Sequence, residues 1–181
     1  MSLVPSLLLS MPQLLDPNFA RTIVLLCEHA PEGAFGLVVN RPSDVAAAEA
    51  VNLDPPIERA NDLPLFFGGP VEPQRGWILT SQPPEDVEHQ TVGAGLYLSA
   101  STVLLRRVLS STAYPKRTHV LAGYAGWGPG QLDVELAESA WLVAPVDLDL
   151  IFEIPPASSW EMAIRRLGAD PNLLQQGHGV H

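Results

Sequence analysis

Cys27, Glu28 and His29 stand together where an apolar, β-branched run gives way to the turn-rich Ala30-Pro31-Glu32-Gly33. A thiol and an imidazole two residues apart on an extended chain point to the same side. A Cys–His pair with the thiol as nucleophile is therefore one chemistry this triplet could perform. The plainer reading makes Cys27 a small buried hydrophobe and His29 a turn residue. Thiol activation needs exposure and local positive charge, and Glu28 supplies the opposite sign, so the plainer reading is adopted. His89, His119, His178 and His181 show no ligand-type spacing, and one cysteine cannot build a thiolate cluster. No metal, cofactor or catalytic set is assigned.

Asn40-Arg41-Pro42 offers a different chemistry. Proline holds the residue before it in extended geometry, and a guanidinium fixed at a strand end can grip a carboxylate or phosphate through two parallel hydrogen bonds. An internal ion pair with Glu28, on the adjoining strand, is the structural alternative, and both readings stay open. Arg75, in a turn, is similar but more exposed. The stretch from Gly123 to Gly130 is glycine-rich between a strand and a helix, yet its order is G-x-x-G-x-G-x-G, and no Lys-Ser/Thr pair follows. Pro129 removes a donor that an anion would need, and Asp133 and Glu135 already place negative charge there. Its glycines are better explained by close packing of Tyr124 and Trp127, or by a shallow aromatic cleft. Nothing matches G-x-S-x-G, so a serine hydrolase of the common type has no support.

Short elements must position these groups, because 18 prolines punctuate the chain. Strands are expected at 6–10, 21–27, 35–40, 65–67, 77–80, 96–98, 118–124 and 141–143, with a hairpin joining the second and third. Helices are expected from Asp44 through Val51, over 101–110, from Gly128-Pro129 to about Glu138, and in a last segment with Ser158 and Glu161 at capping-box spacing. That last helix carries Trp160, Ile164 and Leu167 on one face and stops at Gly168. Strands in pairs with irregularly placed helices indicate an α+β fold, not a regular βαβ sheet.

At 181 residues, 46% hydrophobic and 17% charged, the chain suits one well-buried core. Its net charge of −10 repels nucleic-acid phosphates and anionic membrane surfaces. Arg106, Arg107, Lys116 and Arg117 could form a local basic spot, but a solvated helix face and loop is the preferred reading. The single cysteine fits a reducing compartment. The apolar start, Met1 to Leu15, lacks the basic leading region and cleavage site of a signal peptide, and no apolar run reaches membrane-spanning length. A cytoplasmic location is expected.

Four ordered segments carry a resemblance to a family. They are Met11-Pro12-Gln13-Leu14-Leu15-Asp16-Pro17-Asn18-Phe19; Leu26-Cys27-Glu28-His29-Ala30-Pro31-Glu32-Gly33-Ala34-Phe35-Gly36-Leu37-Val38-Val39-Asn40-Arg41-Pro42; Phe67-Gly68-Gly69-Pro70-Val71 with Arg75-Gly76; and 123–132, GYAGWGPGQL. In this order they resemble the bacterial YqgE/AlgH family, from about Ser6 to Gly168. The resemblance implies an α+β domain whose strands form a sheet partly closed into a barrel-like core flanked by helices. It implies little about activity: the family is largely uncharacterised, and one branch is labelled a transcriptional regulator. This chain departs from the pattern at Ser139, where asparagine is usual, and at Thr80, where histidine is common.

The combined expectation is one domain over 1–181, with its core at about 6–168 and a tail at 169–181. It is a binding or regulatory module, acting on transcription indirectly, with a candidate surface of Glu28, His29, Asn40, Arg41, Tyr124, Trp127 and Gln131. The partner is expected to be a protein or a small anionic ligand, without tight direct DNA binding and without a membrane. The alternative is an enzyme with Glu28 or His29 as acid/base and Arg41 as anion clamp. On either reading the Cys27–His29 turn, Asn40-Arg41 and the segment from Gly123 to Gln131 should converge on one surface, with Glu28 and Arg41 in ion-pairing reach.

Overall fold

Leu7, Leu8 and Leu9 are all fully buried, so the strand that carries them must be covered on both faces. In the computed structural model, which describes residues 3–12, 19–112 and 116–172, that strand is β1 (Ser6–Ser10). It lies between β2 (Ile23–Ala30) and β10 (Trp141–Ala144), antiparallel to both. The remaining strands are β3 (Gly33–Val38), β4 (Pro42–Ala46), β5 (Pro64–Phe67), β6 (Val71–Thr80), β7 (Gln90–Gly93), β8 (Leu96–Ser99) and β9 (Thr118–Trp127). The helices are α1 (Ala47–Ala50), α2 (Thr102–Leu109), α3 (Gln131–Ala137), α4 (Leu148–Phe152) and α5 (Pro156–Arg166).

All ten strands form one sheet, in the order β10-β1-β2-β3-β9-β6-β8-β7, with β5 attached to β9 and β4 to β5. The strands expected at 21–27, 35–40, 77–80 and 118–124 thus share one sheet system. The pairing is antiparallel except for β5 on β9. The sheet is not closed: among the described residues β10 and β7 do not pair with each other, so the barrel-like closure implied by the resemblance is not present. Closure is replaced by a branch. β9 pairs with β6, with β5 through Val120–Ala122, and with β3 through Ala125–Trp127.

Glycine makes that branch possible. A Cβ on Gly68 would meet the Gly123 carbonyl, one on Gly69 the Tyr124 backbone, and one on Gly123 the Gly69 carbonyl. Gly123 also has φ of 79°, the left-handed region. Side-chain alternation reverses there. Val120 and Leu121 lie on opposite faces, and beyond the glycine Tyr124 faces the same side as Leu121 while Ala125 and Trp127 face away.

One face of the sheet packs Leu7, Leu25, Leu37, Leu79 and Leu121 against α4 and α5, where Trp160 and Ile164 are buried. The Trp160 indole N–H donates to the Ser10 carbonyl at 2.9 Å, fixing α5 to β1. The opposite face carries two smaller clusters. Leu8, Val24, Leu26 and Val38 pack under Leu132 of α3, and Ile78 and Val120 pack under α1 and α2.

Local differences from the sequence reading have local causes. The alanine-rich stretch from Asp44 is strand β4 before it is helix: Pro42 and Ala46 register with Phe66 and Pro64, leaving only Ala47–Ala50 helical. Sheet pairing overrides the helical propensity of alanine there. α5 starts at Pro156, before Ser158, because proline suits the first helical position; no side chain caps it, and Glu161 binds Arg21 instead. α3 starts at Gln131, since Gly128 and Pro129 are spent in a turn closed by left-handed Gly130. β7 and α4 were not expected at all. Their lengths, four and five residues, are too short for periodicity to register.

Candidate functional site

The hairpin of β2 and β3 positions the triplet, and a bulge decides what it can do. Leu26 registers with Gly36 and Glu28 with Phe35, so Cys27 is the extra residue. A bulge breaks period-two alternation. Cys27 therefore faces the α4–α5 side with Leu25, and Glu28 shares that side with its cross-strand partner Phe35. His29, paired with Ala34, turns to the opposite side and meets Asp133 of α3 at 3.1 Å. The same-side Cys27–His29 pair is thus overturned. The thiol is 3% exposed, with its pKa pushed up to about 12 by burial and further by Glu28. It is a core sulfur.

Asn40 and Arg41 lie at the other end of the hairpin. The buried Asn40 amide accepts from the Ile23 N–H at 3.0 Å and donates to the Arg21 carbonyl at 3.1 Å, tying β3 to the start of β2. The Arg41 guanidinium donates to the Ala20 carbonyl at 2.6 Å. Five residues of strand separate Ile23 from Glu28, roughly 15 Å. No ion pair links Glu28 and Arg41 among the described residues. β5 also separates the Arg41 backbone from β9: Phe67 donates to the Arg41 carbonyl and registers with Ala122. The three-segment convergence fails at Arg41.

The other two segments do meet, divided between the faces of the sheet. On the α3 side, Trp127 and Trp141 both donate their indole N–H to Glu135 Oε1, at 3.0 and 2.8 Å. Glu135 Oε2 accepts from Gln131 Nε2 at 2.9 Å, and Gln131 Oε1 accepts from the Gly128 N–H at 3.0 Å. The rings of Trp127 and Trp141 meet edge to face, centroids 6.0 Å apart. Trp127 and Gln131 are accordingly committed to an internal network centred on Glu135. The sequence reading named that residue only as a negative charge. The available signal was its place four residues after Gln131, on the same helix face.

On the other side, Tyr124, Phe35 and Trp77 form an aromatic cluster. Centroids are 5.1 Å apart for Phe35–Tyr124, 5.3 Å for Phe35–Trp77 and 6.3 Å for Trp77–Tyr124. All three rings are half-buried. The Arg75 guanidinium lies over the Trp77 ring at 4.5 Å and reaches Glu72 at 3.8 Å. The Tyr124 hydroxyl donates to Glu72, which raises its pKa above the usual phenol range. Trp77 Nε1 is buried, and it is the one such side-chain N or O among the described residues without a hydrogen-bond partner. Glu28, exposed and opposite Phe35, stands beside this cluster. Phe35, Glu72 and Trp77 were not among the expected site residues. Their assembly depends on strand order, which local pattern does not encode.

The remaining polar groups are engaged in the framework. His119 donates Nε2–H to the Ile151 carbonyl at 2.8 Å and stacks on Phe66 at 4.0 Å. Burial lowers its pKa, with hydrogen bonds to the Ile151 and Thr118 backbone opposing. The basic spot does not form: Arg106 donates to the Pro55 carbonyl, Arg107 to that of Glu85, and Arg117 pairs with Asp149 and Glu153. Thr80 hydrogen-bonds Thr118 at 3.0 Å inside the sheet. His178, His181 and part of the first family segment lie outside the described residues. Among the described residues no helix is long and apolar enough to cross a membrane.

Comparison with known proteins agrees with this architecture. The AlgH-like family model matches residues 7–172. A UPF0301 protein of Methylococcus capsulatus is 41% identical over 177 residues, covering 95% of this chain and 94% of that protein. A UPF0301 protein of Stutzerimonas stutzeri is 43% identical over 178 residues, covering 94% and 93%. The solution structure of the AlgH protein from Pseudomonas aeruginosa superposes with a TM-score of 0.76 at 34% identity, covering 95% of this chain and 92% of that one. A crystal structure from Corynebacterium diphtheriae, 22% identical with a TM-score of 0.68 and covering 96% and 90%, shares the fold.

Proposed function

The chain belongs to the AlgH-like family, and from that premise we propose that it is a protein-binding module whose recognition surface is the Phe35–Trp77–Tyr124 cluster. The observation that carries this reading is the half-exposure of three mutually packed rings on rigid strands, rimmed by Glu28, Glu72 and Arg75. Aromatic rings and arginine supply large contact area with few rotatable bonds, and they dominate the binding energy of protein interfaces. A small anion is less well served. Arg75 is already stacked and paired with Glu72, and Arg41 already donates to a backbone carbonyl. The acid/base alternative is weaker too. His29 faces away from Glu28 across the sheet, and Arg41 lies at the far end of the hairpin.

In this reading the module acts in the cytoplasm and affects transcription indirectly, through a protein partner. A net charge of −10 opposes direct contact with duplex DNA. The test is photo-crosslinking from a genetically encoded benzophenone at Val71, which registers with Tyr124 at the edge of the cluster. The protein is expressed in its own host cells, with the same label at exposed Val134 of α3 as control. The expected result is a discrete adduct from Val71 alone, lost in Trp77→Ala. Adducts equal from both positions, or none from Val71, would refute the module.

A further inference from the structure

Across the sheet from Tyr124 lies a second feature. A cavity of about 450 Å³ opens over β6 and β9 on the face that carries Ile78 and Val120. Its floor is the paired backbone of Gly76–Ile78 and Val120–Ala122; its walls are Val51 and Leu53 after α1, and Ser101 and Leu105 at α2. The volume lies in the range of small-molecule sites, which are mostly apolar with a few polar groups.

Gly76 is the telling residue. Glycine inside a strand is less stable than alanine there, because it loses more backbone freedom on folding. At Gly68, Gly69 and Gly123 a Cβ would collide with backbone, so glycine is required there. At Gly76 nothing forces it. Its φ is outside the left-handed region, and a Cβ would meet nothing nearer than the Leu121 carbonyl at 4.0 Å. Glycine inside a strand marks a bulge or a place where a ligand or another backbone comes close; the register shift of β6 against β9 ends at Gly76, which also borders open space. The bare backbone of Gly76 forms part of the cavity floor.

The lining also defines the ligand. Among the described residues no ionisable side chain lines the cavity, in a chain whose net charge is −10; its polar side chains include the amides of Asn52 and Gln74 and the hydroxyls of Ser101 and Thr102. Burying a charged group without a partner is costly, whereas a neutral polar group can be met by such side chains. We propose that this cavity, floored by Gly76 and Ala122, binds a neutral, mostly apolar small molecule carrying one or two hydrogen-bonding groups. Trp77 belongs to both the cavity lining and the aromatic cluster, whereas Tyr124 does not line the cavity.

Fluorescence titration of the full chain with N-phenyl-1-naphthylamine, a neutral aromatic probe with one N–H, tests this. Saturable binding is expected, with the anionic relative 8-anilinonaphthalene-1-sulfonate weaker by about ten-fold or more. Gly76→Ile fills the cavity and should reduce probe binding by about ten-fold or more while the melting temperature holds; Tyr124→Ala should leave it unchanged. Ala122→Leu repeats the fill from the neighbouring strand should Gly76→Ile fail to fold. Absence of saturable binding, preference for the anionic probe, or undiminished binding in the filled variant overturns the proposal. Loss on Tyr124→Ala overturns it as well, placing the probe on the aromatic surface.

Discussion

Tyr124 and Trp127 both lie in β9, yet they belong to two aromatic regions on opposite faces of one sheet. Trp127 and Trp141 are closed around Glu135, with both indole donors satisfied and Gln131 completing the carboxylate. Phe35, Trp77 and Tyr124 are half-exposed, and the Trp77 indole N–H has no partner. The residue types overlap; the difference is burial. Trp127 and Trp141 are buried with both donors spent on Glu135 and contribute to the fold. Phe35, Trp77 and Tyr124 hold one another half-buried and keep part of their surface available. Aromatic composition near a motif therefore does not locate a site, whereas the burial and partners of each ring do.

The contrast breaks most directly at Glu135. Glu135→Ala removes the acceptor of two indole donors, each of which forms a charge-assisted bond, and should lower stability by about 2–3 kcal/mol. For a domain of this length that is a fall in melting temperature of roughly 4–10 °C, read by calorimetry or circular dichroism. An unchanged melting temperature would make the network ornamental. A paired substitution sharpens the point. Trp141→Phe gives up a bonded donor and Trp77→Phe gives up an unbonded one, so denaturant titration should find the first costlier by about 1 kcal/mol. Equal costs would erase the distinction.

A smaller effect separates framework from surface by pH. The folded state holds His119 below its usual pKa, so the unfolded chain binds the proton more readily. Its contribution is fully present above the unfolded value, near 6.5, and is lost as pH falls from there toward the folded pKa. His119→Phe should flatten the stability profile below about pH 6.5, as chemical denaturation at stepped pH would record; an unaltered slope would contradict the assignment. The smallest effect belongs to Tyr124→Phe. It removes an exposed hydroxyl and should change stability by no more than about 0.5 kcal/mol.

Legibility follows the range of the interactions. The helical spacing over 101–110 announced α2; that the Ser101 hydroxyl caps it, accepting from the Leu104 N–H, was not read from the sequence. The run from Ile23 and the turn at Pro31 announced the β2–β3 hairpin. The bulge at Cys27 was invisible, because nothing in Leu26-Cys27-Glu28 distinguishes a bulged strand from a regular one, and that bulge puts His29 on the face opposite Cys27. The expected Glu28–Arg41 pair assumed adjacency across a hairpin whose register puts them at opposite ends. Trp77 and Phe35 were unreadable as neighbours of Tyr124, since β6 and β3 join only through β9. The glycines at 68, 69 and 123 were visible as motifs, but their reason is a branch in the sheet that only topology supplies.

The central claim is that the Phe35–Trp77–Tyr124 face recognises a partner while the Glu135 network holds the fold. The most direct test measures crosslinking from Val71 in Tyr124→Ala and in Glu135→Ala, each at a temperature where both variants are folded. The account predicts that Tyr124→Ala loses the adduct with its melting temperature nearly intact, whereas Glu135→Ala melts earlier and keeps the adduct. Retention of the adduct in Tyr124→Ala together with its loss in Glu135→Ala would contradict it.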